Sequence, residues 1–172
     1  VTVGGELTTA PITYYPFTVG YGAGWTGKHS FTELNAAMNF NVRGIGSEPG
    51  NFDYKRYNAD GSYLYFRGDL SHTHDLPGGF QVFVKAQGQV SSAPLINSEQ
   101  FGGGGLSTVR GYLEATALGD NAIFGTVELR SPSLLRKLDN KENEWRVYAF
   151  YDVGRLTLID PLPEQIDSHG LE

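Results

Sequence analysis

The chain has 172 residues, a net charge of −6, 23 glycines and no cysteine. This length suits one ordinary domain. The negative charge argues against nucleic-acid binding, which needs a basic surface. The lack of cysteine excludes a disulfide framework and a thiolate metal site. The many glycines, together with 13% aromatic residues, favour strands and turns over helices. The sequence contains no run of 18 apolar residues, so it predicts no transmembrane helix.

Apolar and polar residues alternate with a period of two along several segments, which predicts strands with one apolar and one polar face. The segment that begins near residue 30, for example, places Leu34 and Met38 opposite Glu33 and Asn39. We therefore expect an all-β antiparallel protein with about six or seven strands. The predicted strands lie around residues 1–8, 14–27, 30–44, 61–74, 79–92, 122–131 and 144–158.

The length of these segments favours a membrane barrel over a soluble sheet. They run to roughly 10 residues or more, whereas soluble strands average about 5–6. A tilted strand needs about 9–11 residues to cross a bilayer. Charged and amide side chains on the polar faces, such as Lys85 and Gln87, suit a water-filled barrel interior. Aromatic residues near the segment ends fit membrane-interface girdles: Trp25, Phe31, Tyr63, Phe80 and Trp145.

The chain is thus predicted to be part of a transmembrane antiparallel β-barrel, and a large soluble antiparallel barrel is the alternative. A membrane barrel must close and has at least eight strands, so we expect strands to be missing at one or both ends. The turn at residues 76–79 is short, as a periplasmic turn should be, and residues 44–61 are long and polar, as an extracellular loop should be. Residues 95–121 form the longest stretch without a predicted strand, and loops of that length are usually functional or disordered.

This long loop carries four successive glycines and then Arg110, the one charged residue between Gln100 and Leu113. No Gly-Lys-Ser/Thr follows the glycines, which excludes a phosphate-binding loop. A guanidinium that folds back into a barrel would need a carboxylate and hydrogen bonds to offset its desolvation. Strand alternation points Glu128 and Asp152 to the inner face, so both are candidate partners.

The sequence from about residue 61 to residue 154 resembles the two-partner secretion transporters of the haemolysin secretion/activation (ShlB/FhaC/HecB) family, within the BamA/TamA superfamily. The resemblance rests on five motifs in order: PLINSEQFGGGG, VRGY, GD, ELRSP and FYDVG. It implies a sixteen-stranded outer-membrane barrel in which the VRGY loop, residues 93–121, folds into the lumen. It also implies that Arg110 pairs with Asp152 of an F-x-D-x-G motif, with Val109, Gly111 and Tyr112 completing the loop motif.

The resemblance further implies a non-enzymatic protein-translocating pore of the Gram-negative outer membrane, with a secreted haemolysin or adhesin as partner and no cofactor. Residues 1–172 would belong to the C-terminal barrel domain, without the N-terminal POTRA domains and the last strands. Three alternatives stay open: an outer-membrane assembly factor of the same superfamily, a passive porin, and a barrel enzyme such as a lipase.

Two weaker patterns carry no function. His72 and His74 share a face of one predicted strand, but no third metal ligand is apparent. Ser71, His72 and Asp75 lie close in sequence without a nucleophile elbow.

Glu128 and Arg130 both face inward, which suggests either contact between wall charges or a second contact with the loop. Glu114 and Asp120 are expected to be loop charges near the lumen.

Overall fold

The computed structural model describes residues 2–3, 6–7, 11–134 and 145–172. One seven-stranded antiparallel sheet dominates these residues, in the order β11-β10-β9-β6-β5-β4-β3. Its strands are β3 (Phe17–Thr26), β4 (Ser30–Asn41), β5 (Tyr63–Asp75), β6 (Gln81–Ser91), β9 (Asn121–Arg130), β10 (Tyr148–Thr157) and β11 (Ser168–Leu171). The order follows the chain except that the β7–β8 hairpin, Phe101–Gly103 and Ala117–Gly119, is inserted between β6 and β9.

Helical structure is minor in the described residues: a five-residue helix α1 (Pro49–Asp53) and a 3₁₀ turn (Pro77–Gly79). None of the described helices is long and apolar enough to cross a membrane. The all-β antiparallel prediction is therefore confirmed. Each of the six main strands keeps an unbroken register of ten or more residue pairs with a neighbour, as in Ser30↔His74 through Asn41↔Tyr63.

The predicted strand bounds hold to within a few residues, with three differences. In place of one strand over residues 1–8, the two short strands β1 (Thr2–Val3) and β2 (Glu6–Leu7) pair with each other. The loop predicted to be free of strands contains β7 and β8, which are three residues long and too short to show alternation. The strand β11 was missed for the same reason. The first part of the predicted strand at 144–158 lies partly outside the described residues.

The two faces of the sheet differ in chemistry, as alternation requires. One face, which we call the apolar face, exposes large hydrophobic side chains on five of the six long strands: Val19, Tyr21, Leu64, Phe66, Val84, Val90, Ile123, Val127, Tyr151 and Val153. An apolar surface this wide needs an apolar environment. Phe31 is exposed but lies on the opposite face, because it pairs with Thr73 in the row that continues through Phe83 to Glu128, so its assignment to the girdle was wrong. Trp25, Phe80 and Trp145 are exposed, as girdle residues should be. Tyr63 is not: it lies on the opposite face and is only 6% exposed, beneath Leu95, so its assignment to the girdle was wrong.

The opposite face, which we call the loop face, is polar and is partly covered by residues 92–120. Three long connections, 42–62, 92–120 and 158–167, leave the sheet at the same end, because antiparallel pairing places the ends of β4, β6 and β10 together. The main hydrophobic cluster lies between the long loop and this face. It comprises Val109, Ala117, Ala122, Phe124, Leu156 and Leu171. The core therefore fixes the loop against β9 and β10.

Candidate functional site

The long loop is held to the sheet by its glycines rather than freed by them. Gly103 is buried, and a Cβ there would lie 2.6 Å from Leu156 Cδ1 and 2.8 Å from Phe124 Cζ. Gly105 is buried with a φ of 87°, a left-handed conformation that L side chains rarely adopt. A side chain at Gly103 would force the loop away from β9 and β10, and one at Gly105 would overlap Glu114 within the loop. The glycine run thus lets the backbone pack closely on the loop face.

Arg110 lies at the tip of this loop and contacts carboxylates from two adjacent strands. Its Nε donates to Asp152 Oδ2 at 2.8 Å and its Nη2 donates to Asp152 Oδ1 at 2.9 Å. Its backbone N–H also donates to Asp152 Oδ2, at 3.1 Å. Its Nη1 donates to Glu128 Oε2 at 2.5 Å. The structure therefore brings together Arg110 and both of the carboxylates that alternation offered.

This ion-pair cluster is largely shielded from water. The side chain of Asp152 is 2% exposed, that of Glu128 is 7% and that of Arg110 is 17%. Hydrogen bonds to Asp152 raise the pKa of the Arg110 guanidinium above its high ordinary value, so this group stays charged. A paired, bidentate arginine–carboxylate contact is among the stronger polar interactions in proteins. The arrangement can hold a loop, and it offers no nucleophile or acid–base pair for bond chemistry.

Glu128 is shared between the loop and the wall of the sheet. Its Oε1 accepts from Arg130 Nε at 2.6 Å, while its Oε2 accepts from Arg110. Contact between wall charges and contact with the loop, which were posed as alternatives, therefore coexist. Two arginines face two carboxylates, so the cluster of Arg110, Glu128, Arg130 and Asp152 carries no net charge.

The comparisons with known proteins agree with the motif analysis. The model of the haemolysin secretion/activation protein ShlB/FhaC/HecB family matches residues 13–162, most of the chain. The chain belongs to this family. No curated protein and no solved structure matches it. The suspected family is thereby confirmed, and the sheet is part of the transmembrane β-barrel of a ShlB/FhaC/HecB protein.

Members of the ShlB/FhaC/HecB family are outer-membrane transporters of Gram-negative bacteria that act in two-partner secretion. The family is one of transport pores rather than of enzymes, and its members act on a secreted partner protein. Among the described residues, no group of three or more His, Asp or Glu side chains is arranged to hold a metal ion.

The three named positions of the F-x-D-x-G motif all lie on the loop face of β10, since they are two residues apart. The Phe150 ring lies under the Arg110 guanidinium, with 3.6 Å between the Arg110 Cζ and the ring centroid. Asp152 supplies the carboxylate. Gly154 leaves room for Phe124, because a Cβ at Gly154 would overlap the Phe124 ring. Each position of the motif thus contacts Arg110 or makes space for the core beneath the loop.

The other residues of the VRGY motif shape the loop tip. Val109 is 1% exposed and belongs to the main hydrophobic cluster, so it anchors the residue before Arg110. Gly111 has a φ of 100°, which turns the chain just after Arg110. Tyr112 is 39% exposed and its hydroxyl donates to the Glu172 carbonyl at 3.4 Å. These neighbours direct the Arg110 side chain to the sheet.

Asp120, expected to be a loop charge near the lumen, lies between β8 and β9 and is fully buried. Its carboxylate accepts hydrogen bonds from Leu95, Gln100 and Ile159, and it lies 3.6 Å from the guanidinium of Arg56. Sequence reasoning missed this cluster because Asp120 lies outside the alternating segments. The GD motif was the only signal. Glu114, by contrast, is exposed and accepts from the backbone N–H of Leu106 at 3.1 Å.

The histidine pair lies on the apolar face. The two rings of His72 and His74 stack with centroids 6.0 Å apart, and Nδ1 of His72 lies 2.7 Å from Thr32 Oγ1. These contacts account for the pair without a ligand.

Proposed function

We propose that this chain forms part of the pore through which a secreted partner protein, of the haemolysin or adhesin type, crosses the outer membrane of a Gram-negative bacterium. We further propose that Arg110, Asp152 and Glu128 form a latch that holds the long loop inside the pore. The observation that carries the proposal is the contact of one guanidinium with carboxylates from two adjacent strands. Family membership supports the transport function.

The different chemistry of the two sheet faces supports the location of the loop in the lumen. The apolar face exposes large hydrophobic side chains on five of its six long strands, which suits lipid. The loop face carries charges and amides, which suit a water-filled interior. Residues 93–121 lie on that second face, with Gln87 Nε2 donating to the Ser107 carbonyl at 2.6 Å. In this proposal residues 1–172 belong to the C-terminal barrel domain, and the POTRA domains lie outside this chain.

The latch accounts for how a pore can be both blocked and openable. An unfolded polypeptide needs the space that the loop occupies, so the loop must leave the β9 and β10 wall. Its hydrophobic contacts through Val109 and its ion pairs through Arg110 oppose that movement. Once the loop moves into a water-filled lumen, the separated charges can exchange their partners for water, which lowers the cost of release. The proposal involves no bond making and invokes no cofactor.

The test is secretion of the partner by the intact transporter that carries Arg110→Ala or Asp152→Ala. Each change should reduce secretion while the barrel still inserts in the outer membrane, and the exchange Arg110→Asp with Asp152→Arg should restore part of it. The control is Arg43→Ala, which removes an exposed arginine that pairs with Asp60 at 3.8 Å. Normal secretion by both single variants would refute the latch.

The same variants separate the other transport functions. If the barrel were an assembly factor, the single variants would lower the amounts of other outer-membrane proteins. If it were a passive porin, breaking the latch would raise the conductance of the purified barrel only slightly. The secretion proposal predicts a selective loss of the partner at the cell surface.

A further inference from the structure

A second buried polar cluster lies at the root of the long loop, where the loop joins the sheet, ten residues along the chain from Arg110. We call it the loop junction: Asp120 with Arg56, Leu95, Gln100 and Ile159. Asp120 is 0% exposed and Arg56 is 6% exposed. Burial of two opposite charges is costly unless hydrogen bonds satisfy them.

The Asp120 carboxylate is satisfied by donors from separate segments. Its Oδ1 accepts from the Leu95 N–H at 2.9 Å and from Gln100 Nε2 at 3.0 Å. Its Oδ2 accepts from the Ile159 N–H at 2.7 Å. Leu95 and Gln100 lie in the first stem of the long loop, Asp120 ends the second stem, and Ile159 belongs to the next loop. One carboxylate thus ties both stems of the long loop to the connection 158–167.

Arg56 adds the connection 42–62 to the junction. Its Nη2 donates to the Ile159 carbonyl at 2.8 Å and lies 3.6 Å from Asp120 Oδ2. Its Nη1 donates to the Asp160 carbonyl at 3.4 Å. The guanidinium therefore compensates the buried charge and holds the same loop backbone that Asp120 binds. Three long connections converge on one ion pair.

The location of Asp120 links the junction to the latch. Gln100 directly precedes β7 and Asp120 directly follows β8, and the outermost pair of that hairpin is Phe101↔Gly119. The Gln100–Asp120 hydrogen bond therefore closes the open end of the hairpin whose far side carries Arg110. The backbone of Asp120 is also fixed to the sheet, because its N–H donates to the Thr157 carbonyl at 2.9 Å. The orientation of the loop relative to β10 is set here.

We propose that Asp120, supported by Arg56, is a positioning residue for Arg110: it fixes the root of the long loop so that the tip meets Asp152 and Glu128. Asp120 does not contact the latch. It acts through the β7–β8 hairpin. The inference concerns where the loop lies, and it stands whether or not the latch controls secretion.

A distance measurement tests this in the intact transporter. The chain has no cysteine, so Leu106→Cys at the exposed loop tip and Glu33→Cys on β4 provide two label sites within it. Electron–electron double resonance between two nitroxides should give one narrow distance in the otherwise unchanged protein. Asp120→Asn should lose that single narrow distance while the barrel stays assembled. An asparagine has only one acceptor oxygen, and its amide would face a backbone donor.

Three further variants sharpen the result. Arg56→Gln should broaden the distribution, because it removes the compensating charge, whereas the matched Arg43→Gln in an exposed ion pair should leave it unchanged. The exchange Arg56→Asp with Asp120→Arg should not restore the narrow distance, because arginine cannot accept the Leu95 and Ile159 N–H bonds.

An assembled Asp120→Asn barrel with the original distance distribution would overturn the proposal, and so would restoration by the exchange. If Asp120→Asn does not assemble, Arg56→Gln decides, and an unchanged distance in that variant overturns the proposal. Secretion is not used as a readout, so failure of the latch hypothesis and failure of the positioning role remain distinguishable.

Discussion

Replacement of Asp152 by asparagine is the sharpest perturbation of the latch, since it changes the charge and keeps the shape. Arg110 makes three hydrogen bonds to this carboxylate, through its backbone N–H, Nε and Nη2. In asparagine one oxygen becomes an amide that faces a donor, so at least one of these bonds is replaced by a clash of donors. The Arg110 guanidinium keeps its bond to Glu128.

The expected magnitude follows from these contacts. Breaking a buried ion pair costs about 3–5 kcal/mol. Because Arg110 retains Glu128 and its side chain is 17% exposed, the lower end applies, about 3 kcal/mol. At about 1.4 kcal/mol for each factor of ten, the loop should undock about 100-fold more often.

Hydrogen–deuterium exchange in residues 104–112 measures this directly. The amide of Arg110 donates to Asp152 and is released when the loop undocks, whereas the amides of Gly104 and Gly105 donate within the loop, to Thr108 Oγ1 and the Tyr112 carbonyl. The exchange of the Arg110 amide in Asp152→Asn should accelerate by about the same 100-fold where exchange follows the opening equilibrium. The matched control is Asp69→Asn on the same face, whose partner is Asn35. Unchanged exchange in Asp152→Asn would refute the assigned strength of the latch.

Two further substitutions probe the core beneath the loop and the orientation of the sheet. The added methyl group in Gly154→Ala should overlap the Phe124 ring and lower the stability of the barrel by about 1–3 kcal/mol. On gels of samples heated to increasing temperatures, the band of the folded, compact barrel should disappear at a lower midpoint temperature. An unchanged midpoint would contradict the packing argument. Val127→Lys should impair insertion, at about 2–4 kcal/mol for a charge that faces lipid, whereas Thr126→Lys, one residue earlier on the loop face, should insert normally. Equal insertion of both lysine variants would show that the faces are assigned wrongly.

Alternation predicted the sheet well because every main strand has one apolar and one polar face, and a shift by one residue would reverse both. The same parity placed Glu128 and Asp152 on the face that Arg110 meets. It could not tell whether one carboxylate or both would bind the guanidinium, because that depends on the path of the loop.

The parts that sequence reasoning missed lie outside alternating segments. The strands β7 and β8 are three residues long and rich in glycine, so they show no period. The contacts of Asp120 could not be predicted from local sequence, because its hydrogen-bond donors lie 20, 25 and 39 residues away along the chain. Contacts of this kind arise from tertiary packing, which no local pattern records.

The two anchors of the long loop differ in the kind of donor they use, and this difference bears on which one can open. At the root, Asp120 accepts two bonds from backbone N–H groups of neighbouring segments, so its release requires those segments to move. At the tip, Arg110 supplies most of the donors from its own flexible side chain, which can turn away while β9 and β10 keep their register. In the proposed latch, the loop therefore opens at its tip, where the Arg110 side chain and the packing of Val109 hold it, while its root stays fixed to the sheet.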